Sequence, residues 1–206
     1  MAQIVEEKKE KVTQKEQPKT KRKTADKWKK KAWYTIIAPE EFERKEIGET
    51  IAEKPEMLIG RIIAISGRDL ANQPKKQHIK IRFKVKSTAG NKATTEAIGH
   101  IIKDDFIRRL VRRRSSKMMS VKNYTTKDSK GVKMKVVVVT EKKSSGRQRA
   151  ALKKKTEEMC QKLVSEIESR KIIDELVFGT LPNKLYPELK KIVPIKRIEI
   201  TNSLLL

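Results

Sequence analysis

The stretch "HIKIRFKVK", residues 78–86, alternates in character with almost no error. One parity holds Ile79, Ile81, Phe83 and Val85, and the other holds His78, Lys80, Arg82, Lys84 and Lys86. Successive side chains of a β-strand point to opposite faces, so the stretch predicts a strand with one apolar and one cationic face. Like charges on one face lie ~7 Å apart and repel each other. Solubility does not require a single sign, so the cationic face calls for another explanation.

The rest of the chain is also rich in strand patterns. "VKMKVVVVT" (132–140) again sets Val132, Met134, Val136 and Val138 opposite Lys133 and Lys135. It follows "KMMSVKNYTT" across the turn "KDSKG", and "HIKIRFKVKST" meets "KATTEAIGHII" across "AGN", so two hairpins are predicted. Further strands are predicted at "AWYTIIAP", at 47–53, at 57–66 and at "PIKRIEI", with "GRDLANQPKKQ" as a loop.

Two helices interrupt the strands. "KDDFIRRLVRRR" (103–114) places apolar residues on one side and arginines on the other, with Asp104 or Asp105 as the N-cap. A longer helix is predicted over roughly 146–170, with cations in its first turns, against the preference of the helix dipole. Short helices are expected near "IIDELVFG" and "PNKLYPELKKI".

Composition favours a polyanionic partner. The 206 residues include 51 Lys and Arg against 26 Asp and Glu, a net charge of +25.

The single cysteine excludes an internal disulfide and indicates a reducing compartment. No apolar run approaches the ~20 residues of a membrane span, and the N-terminus lacks a secretory apolar segment. Residues 1–26 are nearly free of apolar side chains, which predicts a disordered basic tail.

No catalytic or metal-binding motif is evident. Neither phosphate-binding glycine loop occurs, and the two histidines have no metal-ligand spacing to Cys160. Cys160 is predicted to be a buried, inert thiol, although a Cys–His nucleophile pair stays open. Asp104 and Asp105 could hold Mg²⁺, but capping explains them as well. We therefore expect no enzyme activity and no cofactor or metal.

Blocks of cations are the chemical feature that remains. Residues 1–35 hold twelve cations and five anions, and residues 141–155 hold seven and one. Such blocks suit phosphate neutralisation more than solubility. Trp28 lies in a basic run and could stack on a base, while Trp33 and Tyr34 suit either a core or a base. The candidate RNA-binding residues are Lys21, Arg22, Lys23, Lys27, Trp28, Lys29, Lys30, Lys31, Arg108, Arg109, Arg112, Arg113, Arg114, Lys142, Lys143, Arg147, Arg149, Lys153, Lys154 and Lys155.

Several motifs, in this order, resemble the archaeal and eukaryotic small-subunit ribosomal protein family called S-three-a-e. They are "KWKKKAWYTIIAP", "IGET", "GRIIAISGRDL", "GHIIKDDFIRRLVRRR", "VKNYTTKDSKGVKMKV" and "RQRAALKKKTEEM", spread over about 27–200. The length is similar to that of the archaeal members.

The resemblance implies a structural, non-enzymatic component of the small ribosomal subunit with a β-barrel-like antiparallel sheet core flanked by helices, an α+β fold. It implies a platform position near the 3′ region of the ribosomal RNA and the messenger RNA exit. By match, Lys27 to Lys31 belong to an RNA-contacting N-terminal segment, and Arg147, Arg149 and Lys153 to Lys155 to a basic helix start. Arg112 to Arg114 are more basic than the family pattern, so their role is inferred from charge.

The expected organisation is a disordered tail (1–26), one globular rRNA-binding domain (27–201) and a flexible C-terminus (202–206). Expected partners are small-subunit ribosomal RNA and neighbouring platform proteins, with messenger RNA near the exit as a further candidate; no membrane and no homo-oligomer are expected. The location would be cytoplasmic, in the ribosome. The alternatives are a free RNA or DNA chaperone or chromatin-type protein, and a Mg²⁺-dependent nuclease.

Overall fold

The alternating stretch at 78–86 forms most of a strand that pairs with a neighbour on each side. The computed structural model describes residues 28–71, 74–178 and 180–206, and the chain divides into the units Met1–Lys30 and Lys31–Leu206. Only 28–30 of the first unit are described, as a turn, and the predicted tail (1–26) lies outside the described residues. The strands are β1 (Ala32–Ile37), β2 (Glu46–Ala52), β3 (Ile62–Ser66), β4 (Ile79–Ala89), β5 (Lys92–Ile102), β6 (Lys117–Thr125), β7 (Gly131–Thr140) and β8 (Ile195–Leu205).

These strands form one open sheet. The main path runs β2-β1-β5-β8-β7-β6, with β4 pairing β3 and β5 beside it. The pairs are antiparallel except β1 with β5, which run parallel over Thr35–Ile37 and Lys92–Thr94. Both predicted hairpins, β4–β5 and β6–β7, are present. One edge of β5 pairs with β4. On its other edge, β1 pairs with the start of β5 and β8 pairs with its end.

Three of the helices pack on the face of the sheet that holds the larger core. In the described residues the helices are α1 (Gly67–Ala71), α2 (Asp104–Leu110), α3 (Gly146–Ser165), α4 (Ile172–Phe178) and α5 (Leu181–Lys190), with short 3-10 helices at Glu40–Phe42, Pro55–Leu58 and Pro74–Lys76. Helix α3 packs on β6, α4 on β5 and α5 on β8. The predicted α+β fold with an antiparallel sheet core flanked by helices is confirmed. No helix in the described part is long and apolar enough to cross a membrane.

Two clusters of buried apolar side chains hold the sheet. The larger joins the inner face of β4, β7 and β8 to the helices, including Phe83, Val136, Leu152 and Leu185. The smaller lies under β1 and β2 and contains Tyr34, Leu58 and Val85 among others. The core interpretation is right for Tyr34, which is 6% exposed, and wrong for Trp33, which is 60% exposed. Adjacent residues of a strand face opposite ways, so the two cannot share one core.

The predicted helix at 103–114 is shorter than expected. Helix α2 ends at Leu110, and Val111 has an extended backbone (φ −85°, ψ 111°). The Ser115 hydroxyl accepts from the Arg112 N–H at 3.1 Å and donates to the Arg112 carbonyl at 2.6 Å, which holds a turn in place of another helical turn. Arg112, Arg113 and Arg114 therefore lie in a loop, not on a helix face. Neither Asp104 nor Asp105 is the N-cap: Lys103 holds that position, without a side-chain cap bond.

Other boundaries of strands and helices also differ from those predicted from the sequence. The strand expected at 57–66 begins only at Ile62, after a 3-10 helix, and the loop expected at 67–77 contains α1. Helix α3 ends at Ser165, short of residue 170. At the C-terminus, β8 continues to Leu205 because 202–205 pair with β7, and Leu206 donates its N–H to Gly131. The expected flexible segment 202–206 is thus strand in the structure up to Leu205.

The buried His100, on β5, leads to a prediction about how the stability of the fold depends on pH. Its ring lies 1% exposed, with Nε2 donating to the Ile200 carbonyl (2.7 Å) and Nδ1 2.6 Å from the Ser203 hydroxyl. Burial lowers the pKa of His100 to about 4, opposed by the Ile200 hydrogen bond and aided by the Arg82 charge. The unfolded chain protonates this histidine near pH 6.5, so the folded state loses stability as pH falls from about 6.5 to 4, by about 3 kcal/mol.

Denaturant unfolding at a series of pH values tests this. The variant His100→Gln should be less stable at pH 7 and should lack this part of the acid dependence, so the wild-type advantage shrinks as pH falls to 4. A wild-type advantage that stays constant from pH 7 to 4 would show that the ring does not titrate as described.

Candidate nucleic-acid interface

Two basic segments that lie far apart in the sequence meet at one end of the sheet. The N–H of Thr140 donates to the Ser116 carbonyl at 3.0 Å, and the N–H of Ser116 donates to the Thr140 hydroxyl at 3.0 Å. That hydroxyl donates to the Lys142 carbonyl at 2.7 Å. The N–H of Ser144 donates to the Ser116 hydroxyl at 3.0 Å. These bonds fix the loop with Arg112–Arg114 beside the loop with Lys142 and Lys143.

The second loop leads directly into α3. Ser145 is the N-cap: its hydroxyl accepts from the Gln148 N–H at 3.3 Å, and the Gln148 side chain accepts from the Ser145 N–H at 2.9 Å. This capping box satisfies orphan donors at the helix start. No acidic residue lies in the first turn, which carries Arg147 and Arg149. Cations at a helix N-terminus are unfavourable, and an external anion relieves that cost.

We call these seven residues the basic end: Arg112, Arg113, Arg114, Lys142, Lys143, Arg147 and Arg149. All seven are exposed. Within the described part of the chain, none of them forms an ion pair, because every salt bridge there involves other cations. Free, clustered guanidinium and ammonium groups on a fixed frame match the geometry of phosphate oxygens.

The remaining candidates lie on α2 and α3, in the segment 28–31, or outside the described residues. Arg108 and Arg109 are exposed on α2, where the Arg109 Nε donates to the Asp105 carbonyl at 3.3 Å. Lys153 and Lys154 are exposed and Lys155 is half-buried on α3, ~9–12 Å along the axis from Arg147. Lys29, Lys30, Lys31 and Trp28 are exposed. Lys21, Arg22, Lys23 and Lys27 lie outside the described residues.

Several residues that shape this site carried no signal in the sequence. Ser116, Thr140 and Ser144 join the loops, and Lys196 reaches across from β8 to donate to the Leu110 carbonyl at 3.3 Å. Arg197 stands over the Phe106 ring at 5.4 Å from its centroid, which adds another cation beside α2. These contacts form because β6, β7 and β8 pair. A short polar residue in the sequence does not by itself indicate which distant residue it will bind.

The groups considered for catalysis are occupied by structural contacts. His100 bonds to Ser203 and Ile200, and Cys160 is buried in the α3 core, where burial raises the pKa of its thiol to about 11. Asp104 and Asp105 lie in the first turn of α2, the favourable end of the helix dipole for anions. The described residues contain no cluster of three or more His, Cys, Asp or Glu that could hold a metal ion.

Comparison with known proteins gives a consistent result. The model of the Ribosomal S3Ae family matches residues 19–206. The chain is 37% identical to small ribosomal subunit protein eS1 of Methanobrevibacter smithii, over 90% of this chain and 96% of that protein. It is 36% identical to the eS1 protein of Methanothrix thermoacetophila (87% and 85%) and 35% identical to that of Methanococcus vannielii (90% and 84%).

Proposed function

The chain belongs to the Ribosomal S3Ae family, and we propose that it is a structural, non-enzymatic component of the small ribosomal subunit that binds ribosomal RNA through its basic end. The family and the eS1 relatives support the ribosomal role. The basic end supplies the mechanism by which the chain would hold RNA.

The main support for RNA binding is that two cationic loops are joined and that their cations form no ion pair with any described residue. The bonds among Ser116, Thr140 and Ser144 hold the backbones of both loops, while the long cationic side chains are exposed. Such an arrangement binds phosphates by neutralisation and counterion release, without reading base sequence. The sheet and helices serve as the frame that keeps these contacts in register.

A finer placement follows from the family resemblance. We infer a position on the platform of the small subunit, near the 3′ region of its RNA and the messenger RNA exit, beside other platform proteins. The cytoplasmic ribosome is the corresponding location. Arg108, Arg109 and Lys153 to Lys155 extend the contact surface on both sides of the basic end, and Lys21 to Lys31 add contacts from the N-terminal segment.

Co-sedimentation tests the proposal. Tagged protein expressed in an archaeal host should migrate with small subunits in a gradient at ~0.1 M salt, and should be released only when salt is raised several-fold, because phosphate contacts weaken steeply with salt. Protein found mainly at the top of the gradient at low salt, bound to mixed RNA and DNA, would indicate a free nucleic-acid chaperone instead.

A further inference from the structure

A second cationic surface lies on the sheet face opposite α3, α4 and α5. It contains the cationic parity of β4, whose members Lys80 and Lys84 are exposed while Arg82 is half-buried. On β7, Lys133 and Lys135 take the parity opposite the buried Val132, Met134 and Val136. The buried parity of each strand faces the helices. These two sets therefore face the same side, away from α3, α4 and α5, and α2 borders this side, where Asp104 and Ile107 line a pocket with Lys135 and Asn202.

The strand register places the two sets opposite each other across the sheet. Lys80 pairs with Ile101, which pairs with Asn202, which pairs with Lys135. The next row runs from Arg82 through Gly99 and Leu204 to Lys133. Each row thus has a cation at both ends and two uncharged residues between them. We call these eight residues the framed face.

The dimensions of the framed face follow from sheet geometry. Three inter-strand steps separate β4 from β7, which puts the cations about 14 Å apart across the sheet at the Cα level, with about 7 Å between rows. Of the four floor residues, Gly99 has no side chain, Leu204 and Asn202 are half-buried, and Ile101 is 37% exposed. The lysines stand at the two edges of the face, and the Arg82 guanidinium lies over its floor, within hydrogen-bond distance of β8.

The charges and polar groups of the framed face are available to a ligand. Among the described residues, the side-chain ammonium groups of Lys80, Lys133 and Lys135 form no ion pair. Arg82 donates through Nη2 to the Asn202 side-chain oxygen at 3.3 Å and to the Ser203 carbonyl at 3.2 Å. That contact occupies the oxygen of Asn202 and leaves the amide N–H groups of this floor residue as free donors.

We propose that the framed face binds double-helical RNA across its minor groove, as a second RNA site beside the basic end. This inference rests on the proposed function in that its ligand is RNA. The minor groove of A-form RNA is wide and shallow, flanked by two phosphate backbones and lined with 2′-hydroxyls and base edges. Lys80 would contact one backbone and Lys133 and Lys135 the other, with Arg82 and Asn202 facing the groove floor.

Two other ligands fit this face less well. Single-stranded RNA is held by stacking of its bases on aromatic rings, and none of the eight residues of the framed face is aromatic. A single strand also has one line of phosphates and would leave one cationic edge unused. An acidic amphipathic helix of another protein would need a broad apolar floor, whereas the apolar area here comes from two side chains, Ile101 and Leu204.

The test compares two triple variants of the full chain with equal charge loss. One removes the framed-face lysines, Lys80→Ala, Lys133→Ala and Lys135→Ala; Arg82 is kept because of its contacts within the fold. The control is Lys54→Ala, Lys162→Ala and Lys184→Ala, three exposed cations of other elements. Binding is measured against a 20-bp RNA duplex, a single-stranded RNA and a DNA duplex of the same length, and an acidic amphipathic helical peptide, at several salt concentrations.

The framed-face variant should bind the RNA duplex at least ~10-fold more weakly than the wild type. The salt slope, the steepness with which the logarithm of the binding constant falls with the logarithm of salt concentration, should decrease by about 3, one for each lost phosphate contact. The control variant should keep a salt slope within about 1 of the wild type. Equal effects of the two variants, or an equal loss for single-stranded RNA or for the DNA duplex, would overturn the inference. So would specific binding of the acidic peptide that the framed-face variant alone loses.

The same experiment separates this inference from the proposed function. If the framed-face variant behaves as the control while charge reversal at Arg112–Arg114 abolishes RNA binding, only the second site is refuted. If the arginine variant binds RNA as the wild type does and the framed-face variant does not, the basic end is refuted and the framed face stands.

Discussion

Changing Arg112, Arg113 and Arg114 together to Glu is expected to lower RNA affinity by about 100-fold or more and to keep the protein out of small subunits. Three lost phosphate contacts at ~1 kcal/mol each give that factor, before the added repulsion between carboxylates and phosphates. All three side chains are exposed and form no ion pair with another described residue, so we expect the fold not to depend on them. The turn is held by the backbone of Arg112 and the Ser115 hydroxyl, which the variant keeps.

The measurement is the fraction of tagged protein that migrates with small subunits, together with the circular dichroism spectrum and the unfolding midpoint. A matched control reverses Lys54, Lys162 and Lys184 to Glu, with the same change in net charge on other elements. Incorporation should fall in the first variant and stay near wild type in the second. Equal incorporation of both variants, or loss of the fold in the arginine variant, would rule out the assigned role of the arginines.

Gly99→Ala is expected to destabilise the protein strongly, by about 4 kcal/mol or more. A Cβ at this position would lie 2.0 Å from the carbonyl oxygen of Ser203 and 2.9 Å from its carbon, both backbone atoms of β8. A flexible side chain could move aside, but β8 can only separate from β5. That separation would disturb the pairs Gly99 with Leu204 and His100 with Ser203.

The control is Gly146→Ala, at the start of α3. No atom lies within 4 Å of the position its Cβ would take, and its φ is not in the left-handed region. Alanine in a helix is up to about 1 kcal/mol better than glycine, so this variant should be at least as stable as the wild type. Urea unfolding of both proteins gives the comparison. A Gly99→Ala variant within about 1 kcal/mol of wild type would contradict the close approach of β5 and β8.

The strands could be predicted from the sequence where one face is buried and the other is solvated. Ile79, Ile81, Phe83 and Val85 are all buried in β4, and the second hairpin follows the same rule. Helix ends were less predictable because local bonds of short polar side chains decide them, as Ser115 does after α2. Trp33 shows a related limit: composition indicates a core residue, but its parity in β1 turns the ring outward.

The candidate site could be predicted as a set of cations but not as an arrangement. The basic segments at 112–114 and 142–149 were found from charge alone, whereas their proximity depends on the pairing of β6 with β7. That pairing sets Lys117 opposite Val139 and brings Ser116 to Thr140. The framed face depends in the same way on β5 and β8, which are about 100 residues apart in the chain and meet at His100 and Ser203. Sequence periodicity contains no information on such long-range register.

The most direct test of RNA binding by the basic end is protein–RNA crosslinking in intact small subunits, with the crosslinked residues identified by mass spectrometry. Arg112–Arg114 and Lys142–Lys143 should crosslink to ribosomal RNA, and both segments should reach the same stretch of RNA, since one set of hydrogen bonds holds their loops together. Lys54, Lys162 and Lys184 should yield few or no RNA crosslinks. Subunits in which the basic end crosslinks only to protein, or stays open to amine- and guanidine-modifying reagents, would contradict the account.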